Sequence, residues 1–219
     1  MKEILSDEDR NQIREAVFSA EKRTSGEIVP YITRRSARYE IALWRGATIA
    51  GAIAFCVLVL LSRFYQGWSL SWLYSGTSQA TVIVGAALLG VVLAAYVPAL
   101  RRILAGNSLL AEQVHRRALQ AFVEKEVFNT RDRTGILLFV SLFEHRIEVV
   151  GDAGINQKVT QEAWSNVVLS IRDGIKTGKL AAGLVAGIDQ CGALLEQSGV
   201  EIQPDDTNEL SDDLTIADQ

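Results

Sequence analysis

Residues 46–61 read GATIAGAIAFCVLVLL and residues 80–100 read ATVIVGAALLGVVLAAYVPAL. From Gly46 to Leu100 the only charged side chain is Arg63. Over all 219 residues the composition is 48% hydrophobic and 22% charged, with a formal net charge of −4. Such averages describe an ordinary soluble domain. They conceal two materials, because 47 of the 48 charged side chains lie outside that stretch of 55 residues. A simple soluble monomer and a many-span transporter are both excluded. What is left is one modest domain, large enough to bury a core, attached to a bilayer.

The two runs read as a transmembrane hairpin over residues 41–104, with spans at about 41–62 and 80–101. Ile41 to Leu61 gives about 31 Å of helix against ~30 Å of hydrocarbon. Trp44, Arg45, Tyr65, Trp68, Trp72, Arg101 and Arg102 flank the spans, as aromatic and basic residues do at a membrane–water interface. A soluble domain of this size has too little material to cover 55 apolar residues. The first run starts about 40 residues in, behind a soluble helix, which does not fit a signal peptide. Gly46, Ala50 and Ala54 repeat at four-residue spacing in the first span, and Ala86, Gly90 and Ala94 in the second. Stripes of small residues let helix backbones approach, so the spans are expected to pack through them. Arg34, Arg35, Arg38 and Arg45 precede the hairpin, and Arg101, Arg102, Arg116 and Arg117 follow it. Positive-inside counting then places both termini and the soluble mass in the cytoplasm of a bacterial-type inner membrane.

Around the hairpin, the soluble sequence alternates helix and strand signals. Ser6-Asp7-Glu8-Asp9 fits a capping box, followed by Ile13, Ala16, Val17 and Ala20 at helical spacing. Glu27–Thr33, EIVPYIT, reads as a strand, and Pro30 places it at an edge or at a bulge. Leu110, Val114, Ala118 and Phe122 mark a second helix. Gly135–Leu142, GILLFVSL, reads as a strand covered on both faces, turning through Phe143-Glu144-His145 into Arg146–Val150. Glu144 and His145 read as a solvated turn pair. Two further helices carry Trp164, Val168, Ile171 and Ile175, then Leu180, Leu184, Ile188, Cys191 and Leu195. Residues 1–40 and 107–199 are therefore one discontinuous α/β domain, with the hairpin inserted after the first strand. Residues 200–219 hold seven acids and no Lys or Arg, and read as a disordered tail. Without them the chain is +3.

Thr24-Ser25-Gly26-Glu27-Ile28-Val29, then Arg133-Thr134-Gly135, then Gly151-Asp152-Ala153-Gly154-Ile155 with Trp164 ten residues after Gly154, resemble the TPM domain family. The resemblance covers residues 5–38 and 107–198. It implies an α/β sandwich with a central mixed sheet between helices. It also implies a diffuse range of activities: plant plastid members described as acid phosphatases, a member that assists a receptor channel, and bacterial members that bind divalent cations. Asn156 and Gln161 stand where many relatives carry acids, which weakens the metal and phosphatase expectations.

No nucleotide-loop, hydrolase-elbow or zinc signature occurs. Gly151, Asp152, Ala153 and Gly154 follow a strand and open a helix, where backbone amides can cradle an anion, although without the third glycine of a dinucleotide fingerprint a tight strand-to-helix turn is the favoured reading. Asp132 and Asp152 fall at one end of the sheet. With Glu162 they form a candidate oxygen site for a divalent cation, Ca or Mg, against the alternative of pairing with neighbouring arginines and turn amides. No cofactor is required by the sequence, and no nucleic-acid partner is indicated. The reading that follows is a membrane-anchored interaction, assembly or quality-control module for membrane-protein partners in a lipid bilayer. The alternative is a membrane-anchored, metal-dependent phosphatase.

Overall fold

The computed structural model describes residues 5–64, 75–160, 162–200 and 208–218. Its first elements are α1 (Asp7–Glu21), β1 (Glu27–Thr33), α2 (Glu40–Phe64), α3 (Gly76–Tyr96) and α4 (Pro98–Ala105). There follow α5 (Asn107–Glu124), β2 (Gly135–Ser141), β3 (Arg146–Gly151) and α6 (Ala153–Asn156). The last are α7 (Trp164–Lys176), α8 (Leu180–Gln197) and β4 (Thr215–Ala217). Two compact units result: Met1–Ala37 with Glu112–Gln219, and Arg38–Ala111.

In the first unit the capping box is formed as the sequence requires. Asp9 N donates to Ser6 Oγ at 3.1 Å and Ser6 N donates to Asp9 Oδ2 at 2.9 Å, which satisfies backbone donors that α1 leaves open. The sheet is mixed, in the order β3-β2-β1-β4. β1 runs parallel to β2 and β4, and β2 antiparallel to β3. Side chains alternate across it. Ile28, Ile32, Ile136, Leu138 and Val140 enter one core with residues of α1, α7 and α8, among them Ile13, Val17, Ile171, Leu184 and Ile188. Val29, Tyr31, Leu137 and Phe139 enter a second core with Val114, Ala118 and Ala121 of α5. Tyr31 stacks on Phe139 with ring centroids 5.4 Å apart. Helices thus cover both faces. The expected α/β sandwich is what the chain forms.

Two expectations are corrected here. The strand with Pro30 is interior, paired on both sides, and its register with β2 runs unbroken through Pro30 opposite Leu138. The reason lies in which way each amide points. Glu27 N donates to Thr134 O beside β2, whereas Ile28 N reaches Glu21 Oε1 and Arg34 N reaches Ala217 O of β4. Alternation puts the missing donor of Pro30 on the β4 side, where pairing begins only at Tyr31. A proline costs no ladder bond there. The acidic tail is also not wholly without order. Residues 208–218 carry β4, and Leu210, Leu214, Ile216 and Ala217 pack against the two cores.

In the second unit α2 and α3 are long and apolar enough to cross a membrane. Their surfaces expose Trp44, Ile53, Phe64, Leu88 and Tyr96, which suits a lipid solvent. α3 stops at Tyr96, short of the expected 101. Pro98 opens α4, and Val97 before it is extended at φ −103° and ψ 100°, the conformation a following proline favours. Two of the flanking arginines serve helix ends. Arg45 Nη1 donates to Leu104 O and Ala105 O at 2.7 and 2.9 Å, and Arg101 Nε donates to Ala94 O at 3.1 Å. Cations there satisfy carbonyls that the helix cannot. Tyr65, Trp68 and Trp72 lie outside the described residues.

The small-residue stripes meet at Gly46, Ala50, Gly90 and Ala94, with Ala54 and Ala86 half-buried. A Cβ on Gly90 would lie 2.3 Å from Gly46 O and 2.8 Å from Ala50 Cβ, whereas one on Gly85 would meet nothing within 4 Å. Overpacking of this kind costs about 1–3 kcal/mol. Gly90→Leu should therefore destabilise the hairpin by about that amount, and Gly85→Leu should be near neutral. Equilibrium unfolding of full-length protein in detergent measures both.

Candidate functional site

β1 and β2 start, and β3 ends, at one end of the sheet, since Ile136 pairs with Gly151. The segment 130–134 and the turn 151–154 meet there. Arg133 adopts a left-handed backbone, φ 57°, and turns its guanidinium onto Asp152. Nε lies 2.6 Å from Oδ2, and Nη2 donates to Oδ1 at 2.9 Å. Asp152 is buried, at 5% exposure, and its Oδ1 also accepts from Ala153 N at 2.7 Å, capping α6. The two-pronged pair holds the arginine proton more tightly than usual, chiefly through the hydrogen bond to Asp152.

The amides of this turn are spoken for. Asp152 N donates to Gly135 O at 2.9 Å and Gly154 N to Arg133 O at 3.0 Å. A Cβ on Gly154 would lie 2.3 Å from Asp132 O, so glycine is required by close approach of two backbones. The anion cradle drawn from Gly151, Asp152, Ala153 and Gly154 is thus a backbone lock in this structure. Asp132 points elsewhere: its Oδ2 is 3.8 Å from Arg131 Nε, and the side chain is half exposed. Glu162 is exposed, and α7 begins only at Trp164. The three carboxylates proposed for a cation are therefore not brought together. Among the described residues no group of three or more His, Cys, Asp or Glu is placed to hold a metal ion.

Sequence reasoning missed a different acidic cluster at the same end. Glu21 Oε1 accepts from Ile28 N at 2.8 Å. Burial pushes its carboxyl up to about 8, with the charges of Glu27 and Asp212 adding to the rise. Glu27 is buried and raised as well, mainly by that burial, and accepts from Glu209 N at 3.2 Å and Leu210 N at 3.4 Å. Glu209 Oε2 in turn accepts from Arg131 N at 2.9 Å. The available signal was the apolar spacing Leu210, Leu214, Ile216 inside an acidic segment, which a charge count passes over.

At the other end of the sheet the turn carboxylate Glu144 is buried rather than solvated. It accepts from Ser36 N at 2.9 Å and from Ser141 Oγ, and Ser36 Oγ lies 2.8 Å from Ser141 Oγ. This network ties the segment after β1 to the β2–β3 turn. His115 Nδ1 sits 2.7 Å from Glu148 Oε1, across from β3.

Comparison with known proteins agrees with this architecture. Residues 101–194 match the family model described as the TPM domain. No curated protein matches the sequence. Among solved structures, the NMR structure of BA42 protein from the psychrophilic bacterium Bizionia argentinensis sp. nov. superposes with a TM-score of 0.61 at 20% identity. The superposition covers 99% of this chain and 97% of that one, and at such identity the likeness speaks for the fold alone.

The raised Glu21 carboxyl sets a pH dependence. A carboxyl whose folded pKa lies above its unfolded value favours the fold while protonated. Its contribution is complete below about 4.3 and is lost as pH rises through about 8. Stability should therefore fall across that window, by on the order of 5 kcal/mol for this group. Glu21→Gln keeps an acceptor for Ile28 N and removes the charge. Urea midpoints from pH 5 to pH 9 should fall less steeply in this variant than in the wild type.

Proposed function

Because residues 101–194 match the family model of the TPM domain, we propose that this chain is a membrane-anchored TPM protein that presents its α/β unit to membrane-protein partners. In this reading the unit is a cytoplasm-facing interaction, assembly or quality-control module. The observation that carries it is where the anchor is inserted. β1 and β2 are neighbours in one sheet, yet both apolar helices fall between them in sequence. An anchor threaded through the domain, unlike an appended tail, fixes the module to the bilayer through two connections. The basic residues support the orientation. Arg34, Arg35, Arg38, Arg45, Arg101 and Arg102 lie on the domain side of the spans, and Arg63 alone lies on the other.

The polar groups favour an interaction role over catalysis. Asp152, the carboxylate best placed for chemistry by sequence, is engaged by Arg133 and by Ala153 N. Its contacts all come from this chain, and at 5% exposure the carboxylate is kept from a substrate or ion in solution.

Affinity purification from native membranes in mild detergent tests this. Discrete membrane proteins should co-purify with the full chain. Phosphatase turnover that survives purification and disappears in Asp152→Ala would overturn the reading in favour of a metal-dependent enzyme. So would a rise in melting temperature with millimolar calcium or magnesium that Asp152→Ala abolishes. That variant also removes the α6 cap, a loss of about 1 kcal/mol, so its fold is to be checked by circular dichroism.

A further inference from the structure

Residues 208–218, NELSDDLTIAD, combine four acids with apolar side chains at 210, 214, 216 and 217. Composition alone would leave such a segment in water. Instead it lies extended along the α/β unit. Thr215, Ile216 and Ala217 pair in parallel with Tyr31, Ile32 and Thr33 of β1, and Arg34 N donates to Ala217 O at 3.1 Å. The apolar side chains part to the two cores: Leu214 and Ile216 to the α1, α7 and α8 side, Leu210 and Ala217 to the α5 side.

Charge holds the segment at both flanks. Arg14 Nη2 is 2.6 Å from Asp213 Oδ1 and Arg34 Nε is 2.7 Å from Asp218 Oδ1. Upstream, the amides of Glu209 and Leu210 donate to Glu27. Exposed ion pairs of this kind add little stability, but they select a partner by charge. The contacts draw on an extended backbone, alternating apolar side chains and flanking acids. Only three residue pairs make the ladder, and strand addition to a sheet edge is a general mode of peptide recognition.

From this geometry we infer that the side of β1 facing away from β2 is a docking site for an extended acidic peptide segment of a partner protein, with residues 208–218 as the intramolecular occupant that such a segment displaces. The inference deepens the proposed interaction role and rests on it. Arg14 and Arg34 read the acids, and β1 reads the backbone. Tethering raises the local concentration of the chain's own segment, so the site is masked until a competitor arrives.

The test uses the full chain in detergent and a fluorescein-labelled peptide of residues 208–219, followed by anisotropy. The wild type should bind it weakly. Ile216→Asp places a charge against the core, and Ala217→Pro breaks a short ladder; each should release the tethered segment and bind the peptide at least tenfold more tightly. Adding Arg14→Glu and Arg34→Glu to either variant should undo that gain, and a peptide with Lys at its acidic positions should not bind. Circular dichroism and melting curves identify a variant that has unfolded, and the other release variant then decides. The inference is overturned if a folded release variant binds no better than wild type, or if binding ignores the arginine reversals. It is equally overturned if release variants pair into dimers that take up no peptide, since the occupant is then a second copy of this chain. A chain that binds the peptide yet captures no membrane protein would remove the interaction-module reading and leave the β1 site standing.

Discussion

The parallel pairing of β1 with β2 is the constraint from which the rest of the α/β unit follows. Seven residues of each strand are in register, Glu27 with Gly135 through Thr33 with Ser141, and all fourteen are buried. Adjacent parallel strands cannot be joined by a tight turn and need a crossover of a dozen residues or more. α5 provides it, laying Val114, Ala118 and Ala121 over one face. Because a crossover has no upper length, the same connection accepts the apolar helices α2 and α3 ahead of α5 with β1 and β2 still in register. Loop-closure entropy grows only slowly with length, so the insertion costs the sheet little.

The parts legible in the sequence are those with a local cause. Ser6 and Asp9 are three residues apart, and their reciprocal capping needs nothing distant. The run Gly135–Leu142 is free of charge and apolar at every position but Ser141 because both faces are covered, and α2 and α3 announce themselves by length and lack of charge. What escaped was decided by partners far away in sequence. Pro30 is compatible with an interior strand only because β4, some 185 residues on, starts its ladder one position later. Glu144 looked solvated because Ser36, which its carboxylate holds, comes 108 residues earlier.

The candidate site shows the same division. Placing Asp132 and Asp152 at one end of the sheet was correct, and alternation within a hairpin suffices for it. Which atoms they touch was not legible, because it hinges on a left-handed backbone at Arg133 that sends its side chain to Asp152 and leaves Asp132 to solvent. The segments that carry the TPM resemblance then acquire a structural meaning in this chain. A Cβ on Gly135 would meet Val127 O at 1.9 Å, and one on Gly154 would meet Asp132 O at 2.3 Å. Thr134 Oγ1 donates to Ser25 O at 2.8 Å, joining two of the segments directly. These positions solve a packing problem at one end of the sheet. Their presence is evidence of the fold rather than of a reaction.

Along β4 and its flanks the balance of charge explains why the tail is held without being locked. Arg14 and Arg34 attract it through exposed pairs, which solvent screens. Glu21 and Glu27 face it as carboxyls, and burial holds both above their ordinary range. While they are protonated they oppose the acidic segment little, and once ionised they repel Asp212 and Glu209. The apolar contacts of Leu210, Leu214 and Ile216 are partial, since these side chains are only half-buried. Attraction by few and screened groups, set against repulsion that grows with pH, gives a segment whose binding is selective but shallow. Three of the seven acids that make the whole chain negative, Glu209, Asp213 and Asp218, are therefore held by groups of the α/β unit, along the side of β1 that faces away from β2.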